Sequence, residues 1–456
     1  MNINIDLSKK IHMIGIGGVS MSGIADILLN LGYTVTGSDM NESDVTKRLE
    51  SQGIKVTIGH YAENVHNADI VVYTAAVKQD NIELVEARNL NIETIERSDF
   101  LGWLTKSYEE TIAISGTHGK TTTTSMISSI FVDAQTDPTI QVGADLSVLD
   151  NLNYRVGKSN IFIVEACEYV RSFLKFSPKT AVILDIEEEH LDCYKDLDDI
   201  KNTFNEFLDI PPEDGSIILN ADDVNCMDIS SNHKAKLITY GIKNNADWQA
   251  TNININDDGT YSFTAINGNE NIEIKLSVLG YHNVYNALAA IAVSKVYNIS
   301  DEAIISGLAK FTGAKRRFEY VGTYNGTKIY DDYAHHPTEI KATLESAKNI
   351  KSNKRWVVFQ PHTYSRTYTL FDKFVTAFED ADEVIILDIY AAREKDTGLV
   401  SSKQLADEIN KYSKNAKYIS TLEETAEYLK ENLKENDILL TIGAGTVTKL
   451  GRMIIK

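Results

Sequence analysis

The apolar positions fall into short unbroken runs separated by longer stretches with helical spacing. Runs at 11–14, 34–37, 71–76, 111–115, 161–164 and 181–184 predict strands, and 328–330, 356–359, 384–387 and 438–442 repeat the pattern. Short continuous runs of this kind suit strands buried on both faces, as in a parallel sheet. Between them, Ile24, Ile27, Leu28 and Leu31, then Met126, Ile127, Ile130 and Phe131, recur at the spacing of one helix face. Residues 248–278 differ. They alternate polar with apolar and carry turn signals at Asp257-Asp258-Gly259 and Asn267-Gly268-Asn269, which predicts a small antiparallel insertion. The expectation is an α/β chain of three domains. A Rossmann-like domain at 1–107 precedes a central phosphate-loop parallel-sheet domain at 108–313, which carries the insertion, and a second Rossmann-like domain follows at 314–456.

The loops after these strands hold the chemistry. TIAISGTHGKTTTT, at 111–124, runs strand, glycine turn, Lys-Thr, helix. In such a layout backbone N–H groups and the helix N-terminus meet phosphate oxygens, Lys120 neutralises the far phosphates and Thr121 can ligate Mg²⁺. The match to G-x-x-x-x-G-K-[ST] is incomplete, because Ile114 stands where the first glycine would be. The first strand runs into GIGGVSMSG at 15–23, a near dinucleotide fingerprint with Ser20 in place of the third glycine. Asp39 ends the next strand at the distance of a ribose ligand. The same glycines also serve a plain tight turn.

Carboxylates at strand ends lie where α/β sheets place their sites. Glu165 follows one central strand and His190 closes the stretch after another, so both are candidates around a metal held by Thr121. A histidine among the ligands implies a site that also accepts Mn²⁺. Glu187 to Glu189 read better as a solvated helix start. Asn283 and Asn286 lie three apart in GYHNVYNALAA, able to cap a helix or to read a base edge. In the last domain, DDYAHHP at 331–337 and QPHTYSR at 360–366 crowd His, Arg and Asp onto strand ends, which points to a site. Arg316 and Arg317 either reach a phosphate or pair with Glu319.

Charge and cysteines narrow the classes. The formal charge is −20 with no basic stripe, which argues against nucleic acid and anionic membrane as partners. No apolar run approaches a membrane span, and the N-terminal run breaks at Gly15, Gly17 and Gly18 and so is no signal peptide. Cys167, Cys193 and Cys226 lack metal spacing and fit reduced thiols, so a cytoplasmic protein is expected.

Taken in order, GIGGVSMSG, GTHGKTTTT, the E-A-x-E segment at 165–168, GYHNVYNALAA, RRFE at 316–319, DDYAHHPTE and FQPHTYSRT resemble the Mur ligases of peptidoglycan synthesis over nearly the whole chain. The resemblance implies an ATP-dependent amide-bond-forming ligase, specifically the one that adds the first amino acid. UDP-N-acetylmuramate and L-alanine would be its substrates, Mg²⁺ its metal, and an acyl phosphate its intermediate. It further implies UDP-sugar binding by Gly15, Gly17, Gly18, Ser20, Met21, Ser22 and Asp39. ATP would meet Gly116, Thr117, His118, Gly119, Lys120, Thr121 and Thr122, with Asn283 and Asn286 at the adenine and Arg317 and Asp332 nearby. The metal set would be Thr121, Glu165 and His190. Catalysis would rest on Lys120, Glu165, His190, Arg317, His336, His362 and Arg366, with His335 beside them, in a monomer or homodimer.

Two departures stand out. The family usually reads E-A-D-E-S-D where this chain has Glu165-Ala166-Cys167-Glu168-Tyr169-Val170, and Asn and Asp where it has Asp185 and Glu189. Metal binding is therefore not carried over to Glu168. Three alternatives remain: a recycling ligase that attaches a ready-made murein peptide to the same sugar nucleotide, a nicotinamide dehydrogenase, and a nucleotide-binding regulator. Alanine, glycine and serine are not separable as substrates by sequence.

Overall fold

The structure, a computed structural model, describes residues 6–190, 193–392, 394–396 and 398–456. These form two compact units: residues 1–249, 266–270 and 286–310, and residues 250–265, 271–285 and 311–456. The expected boundary at 107/108 thus falls inside the first unit. Residues 250–265 and 271–285 of the antiparallel excursion fall in the second unit.

The first unit holds two sheets. Strands β1 (Lys10–Ile14), β2 (Thr34–Asp39), β3 (Lys55–Ile58), β4 (Ile70–Tyr73) and β5 (Glu93–Glu96) form the first, parallel throughout in the order β3-β2-β1-β4-β5. The strand expected at 71–76 is shorter, because Val77 N–H closes a turn on Thr74 O and draws Ala75 and Ala76 out of the ladder. Strands β6 (Glu110–Ser115), β7 (Thr139–Leu146), β8 (Leu152–Arg155), β9 (Ile161–Glu165), β10 (Thr180–Ile183), β11 (Ser216–Asn220) and β12 (Lys236–Gly241) follow. They run in the order β12-β11-β10-β6-β9-β7-β8, with only β8 antiparallel to its neighbour. One apolar core serves both sheets. It joins Ile11, Ile24 and Leu28 to Phe100 and Leu104, and these to Phe162, Phe173 and Phe207. The Phe173 and Phe207 rings stack at 4.5 Å.

β13 (Trp248–Ile255) starts beside β12 and leaves the first unit at Ala250. β14 (Thr260–Asn267) and β15 (Glu270–Leu279) follow after turns of four and two residues. Connections this short join only antiparallel strands, as expected.

In the second unit β16 (Glu319–Tyr324), β17 (Thr327–Asp332), β18 (Arg355–Phe359), β19 (Glu383–Ile386), β20 (Ala416–Tyr418) and β21 (Ile438–Ile442) form a sheet in the order β16-β17-β21-β18-β19-β20. All pairs are parallel except β16 with β17, an edge hairpin that periodicity did not reveal. Separate apolar clusters cover its two faces, one around Phe359 and Phe374, the other around Trp356 and Leu429.

Candidate functional site

In the central sheet β6 lies between β10 and β9, so chain connections depart to opposite sides at its carboxyl end. That is the topological switch point where open α/β sheets bind ligands. The loop Gly116–Gly119 fills it. Gly116 and Gly119 have φ of +137° and +77°, values that admit glycine and strain other residues, and the helix Lys120–Asp133 begins immediately afterwards. Gly119 caps that helix with no side-chain bond, which leaves N–H groups for an anion.

Each neighbouring strand sends a carboxylate to the loop. From β9, Glu165 Oε2 accepts from Thr121 Oγ1 at 3.0 Å and from Gly143 N–H at 2.9 Å. From beyond β10, Asp185 Oδ1 accepts the His118 N–H at 2.8 Å while its carbonyl accepts the Thr117 N–H at 3.1 Å. Burial pushes the Asp185 carboxyl up to about 6 against the pull of His118 and Lys120. Thr117 Oγ1 accepts from Glu187 N–H at 2.8 Å, and the Glu187 carboxylate stands 3.4 Å from His118 Nε2. Glu187 to Glu189 are therefore no solvated helix start. The next helix begins only at Leu197, and Glu187 braces the phosphate loop.

Lys120 is folded back on its own loop. Its ammonium donates to the carbonyls of Gly116 and Thr117 and lies 3.0 and 3.1 Å from the two oxygens of Glu168. Burial disfavours the ammonium, but Glu168 foremost, with Cys167 and Glu165, outweighs it and holds the pKa above the ordinary value. Burial likewise opposes the Glu168 carboxylate, and Lys120 and the His190 hydrogen bond keep it below the usual range. His190 Nε2 is 3.4 Å from Glu168 Oε1, and the residue adopts φ +57°. Thr121 and Glu165 present an oxygen pair suited to Mg²⁺, and so fit that ion. His190 meets Glu168 rather than Glu165, so the expected third ligand is tied to this pair only through the Lys120 cluster.

Farther along the helix, Thr123 Oγ1 donates to Asn286 Oδ1 at 3.1 Å. Asn283 donates its amide to Leu279 O at 2.6 Å, a bond back to the end of β15 rather than the acceptance of a helix N–H that a cap requires. Thr122 is half-buried.

In the first sheet the glycine loop follows β1, which lies between β2 and β4 and so marks a second switch point. Gly15 has φ +78° and Gly18 caps the helix Val19–Asn30 without a side-chain bond. Asp39 Oδ2 accepts the Gly17 N–H at 2.9 Å, so here the carboxylate shapes the loop. Ser20 Oγ receives Arg97 at 3.1 Å and Gln141 at 3.0 Å. Met21 and Ser22 are both 2% exposed, and Ser22 Oγ bonds to Val19 O. The loop's open face thus runs from Gly15 to Ser20, and the side chains of Met21 and Ser22 belong to the packing beneath it.

The second unit gathers its own polar cluster at the carboxyl ends of β17 and β18. Asp332 accepts from Phe318 N–H at 3.0 Å and Ala334 N–H at 2.8 Å, and burial, opposed by Arg317, pushes its carboxyl up to about 6. Arg316 and Arg317 flank the Tyr333 ring at 4.7 and 5.2 Å. The Arg316 side chain is spent on Asp331 and Gly443 O, and only its backbone N–H reaches Glu319. His335 Nδ1 meets Tyr333 O at 3.0 Å, and its ring lies 6.0 Å from that of His362. His362 stacks on Tyr390, and its Nδ1 accepts from Arg366 at 3.1 Å. His336 caps the helix Pro337–Lys348: its Nδ1 accepts from Thr338 N–H at 3.3 Å, and Glu339 completes the box.

Glu168 and Asp185 were passed over as site residues. Both carried a legible signal, since each is an acid just past the end of a strand that flanks the phosphate loop. Gln141 carried none, because only the packing of the first sheet on the central one brings β7 to Ser20, and Arg97 reaches Ser20 from the end of β5 within the first sheet.

Comparison with known proteins follows this order of loops. The Mur ligase family, catalytic domain, matches residues 10–109; the Mur ligase middle domain, 114–294; and the Mur ligase, glutamate ligase domain, 316–445. A UDP-N-acetylmuramate–L-alanine ligase from Clostridium perfringens is 49% identical over 452 residues, covering 99% of this chain and 98% of that one. Its counterpart from Clostridium acetobutylicum is 51% identical over 451 residues, with the same coverage. Among solved structures, a UDP-N-acetylmuramate-alanine ligase from Thermotoga maritima superposes with a TM-score of 0.83 at 28% identity over 98% of both chains. A murein peptide ligase from Psychrobacter arcticus reaches 0.73 at 25% identity, also over 98% of both.

Proposed function

The chain belongs to the Mur ligase family, and on that premise we propose that it joins L-alanine to UDP-N-acetylmuramate at the expense of ATP, in peptidoglycan precursor synthesis. It does so in three α/β domains, with boundaries at 107/108 and 313/314. The relatives at about half identity over the full chain favour alanine over a murein peptide as acceptor. No helix among the described residues is long and apolar enough to cross a membrane, in keeping with small polar substrates and a cytoplasmic place of work.

One observation carries the chemistry. At the switch point of the central sheet a glycine loop, a lysine and a threonine converge with the Glu165 carboxylate. Loop N–H groups and Lys120 hold the β- and γ-phosphates and neutralise charge as the γ-phosphoryl group moves to the muramate carboxylate. Thr121 and Glu165 hold Mg²⁺, with His190 close by. When bound, the ion draws charge from the phosphate oxygens. The glycine loop after β1 takes the UDP part. In the second unit Arg317, Asp332, His335, His336, His362 and Arg366 form the binding cluster for anionic groups of the nucleotide and sugar and for the incoming amino acid. The amine then attacks the acyl phosphate, and the tetrahedral intermediate expels phosphate. Chemically this is positioning plus charge neutralisation.

With ATP, UDP-N-acetylmuramate and L-alanine, the products should be ADP and phosphate. ¹⁸O placed in the sugar's carboxylate should appear in the released phosphate. AMP among the products, or unlabelled phosphate, overturns the acyl-phosphate route. Turnover with a murein peptide but not with alanine moves the chain to the recycling ligase.

A further inference from the structure

Glu168 holds the lysine that the reaction needs. The residue is 3% exposed, and its carboxylate oxygens lie 3.0 and 3.1 Å from the Lys120 ammonium. The remaining donor capacity of that ammonium goes to the carbonyls of Gly116 and Thr117. Glu168 is itself fixed from two sides. His190 Nε2 reaches Oε1 at 3.4 Å, and the Tyr194 hydroxyl donates to the Glu168 carbonyl at 2.5 Å. Lys120 therefore points into its own loop, saturated by one anion and two carbonyl oxygens. A buried ammonium demands a compensating anion and acceptors for its remaining N–H groups.

We propose that Glu168 is a positioning residue that takes the place of nucleotide phosphate on Lys120 in the empty enzyme, yields the ammonium when ATP enters, and reclaims it when products leave. The proposal rests on the reading of this loop as the ATP site. The two anions compete for one ammonium, so the carboxylate weakens nucleotide binding and speeds release. A metal ligand would do the opposite, strengthening the binding of the metal-bound nucleotide. The internal anion also keeps a buried positive charge compensated throughout the cycle, so that the loop need not refold between turnovers.

Glu168→Gln separates these roles. Calorimetry with ATP in EDTA should show affinity rising about tenfold, the worth of one charge-assisted hydrogen bond. In the Lys120→Met background the same change should leave affinity unaltered. With Mg²⁺ and all substrates, KM for ATP and kcat should fall together, because products leave more slowly. A purely structural role would not tighten binding. Glu168→Asp keeps the charge but withdraws it by one methylene, and should give a smaller gain of the same sign; it serves if the glutamine variant does not fold. Affinity that is unchanged or weaker in metal-free ATP, a gain that persists without Lys120, or a raised Mg²⁺ requirement overturns the proposal. Wild-type protein that binds no ATP overturns the reading of the loop along with it.

Discussion

Asp185→Asn removes one buried charge from the phosphate loop while keeping its hydrogen bond, since an amide oxygen can accept the His118 N–H as the carboxylate does. Burial raises the folded-state pKa from 3.8 to about 6. The unfolded chain keeps the ordinary value of about 3.9. Between those two values the folded state binds more protons than the unfolded one, so this group's contribution to stability is fully present below about pH 4 and is lost as pH rises through about 6. Each tenfold change in acidity is worth ~1.4 kcal/mol, so the ionised carboxylate costs about 3 kcal/mol at neutral pH. The asparagine variant should therefore match wild type near pH 4 and exceed it by about 3 kcal/mol above pH 7. For domains of this size that is a rise in Tm of about 6–12 °C. Thermal unfolding of both proteins in steps from pH 4.5 to 8 measures it. Asp332 titrates in the same window in both proteins and cancels in the difference. A difference that is flat with pH, or negative at pH 7.5, refutes the buried-charge argument.

Lys120→Ala should abolish phosphate release while UDP-sugar affinity, measured by calorimetry, stays within about twofold, because the proposed function seats the sugar nucleotide on the loop after β1. Glu165→Gln should raise the Mg²⁺ concentration for half-maximal rate by about tenfold or more; an unchanged Mg²⁺ titration removes Glu165 from the metal set. Arg48→Ala strands the fully buried Asp26 carboxylate, which now accepts from Arg48 at 2.6 Å, and takes the same guanidinium from the Tyr154 hydroxyl. Chemical denaturation should show a loss of about 3 kcal/mol, and a loss below about 0.5 would mean that Asp26 is already neutral.

The strands that sequence pattern located are those buried on both faces. β1, β6, β9, β10, β18 and β21 lie inside their sheets, and their apolar runs are continuous because each face meets a core. Of the strands it missed, several lie nearer the margins or are shared between polar and apolar surroundings, whereas β11 is an interior, well-buried run that the pattern passed over. β3 reads exposed-buried-half-exposed, β16 is an edge with little buried side chain, and β20 has three residues. β7 is well buried at its start, but Gly143, Ala144 and Asp145 interrupt it before Leu146, so its run breaks before it registers. A continuous apolar run reports two-sided burial and alternation reported the antiparallel excursion at 248–278, whereas the short strands β3, β16 and β20 carry neither pattern over enough residues.

The site obeys a related rule. Glycine turns, Lys120, Thr121 and Glu165 could be found because each function is fixed by position relative to a single strand. The roles of Glu168, Asp185 and Asp39 depend on which strands lie beside that one. β9 and β10 flank β6, and so an acid after either must find a partner in the phosphate loop: Glu168 takes the ammonium, Asp185 the His118 N–H. β2 flanks β1 in the same way, and Asp39 takes the Gly17 N–H. In each case an anion from the adjacent strand occupies a donor that a phosphate-binding loop presents to its ligand. The donors of an anion site are costly to leave bare in a buried cleft, so the fold supplies its own acceptors. That is why strand order, which the sequence does not display, decides which acids neighbour the nucleotide, and why a count of acids near the loop overstates how many hold metal.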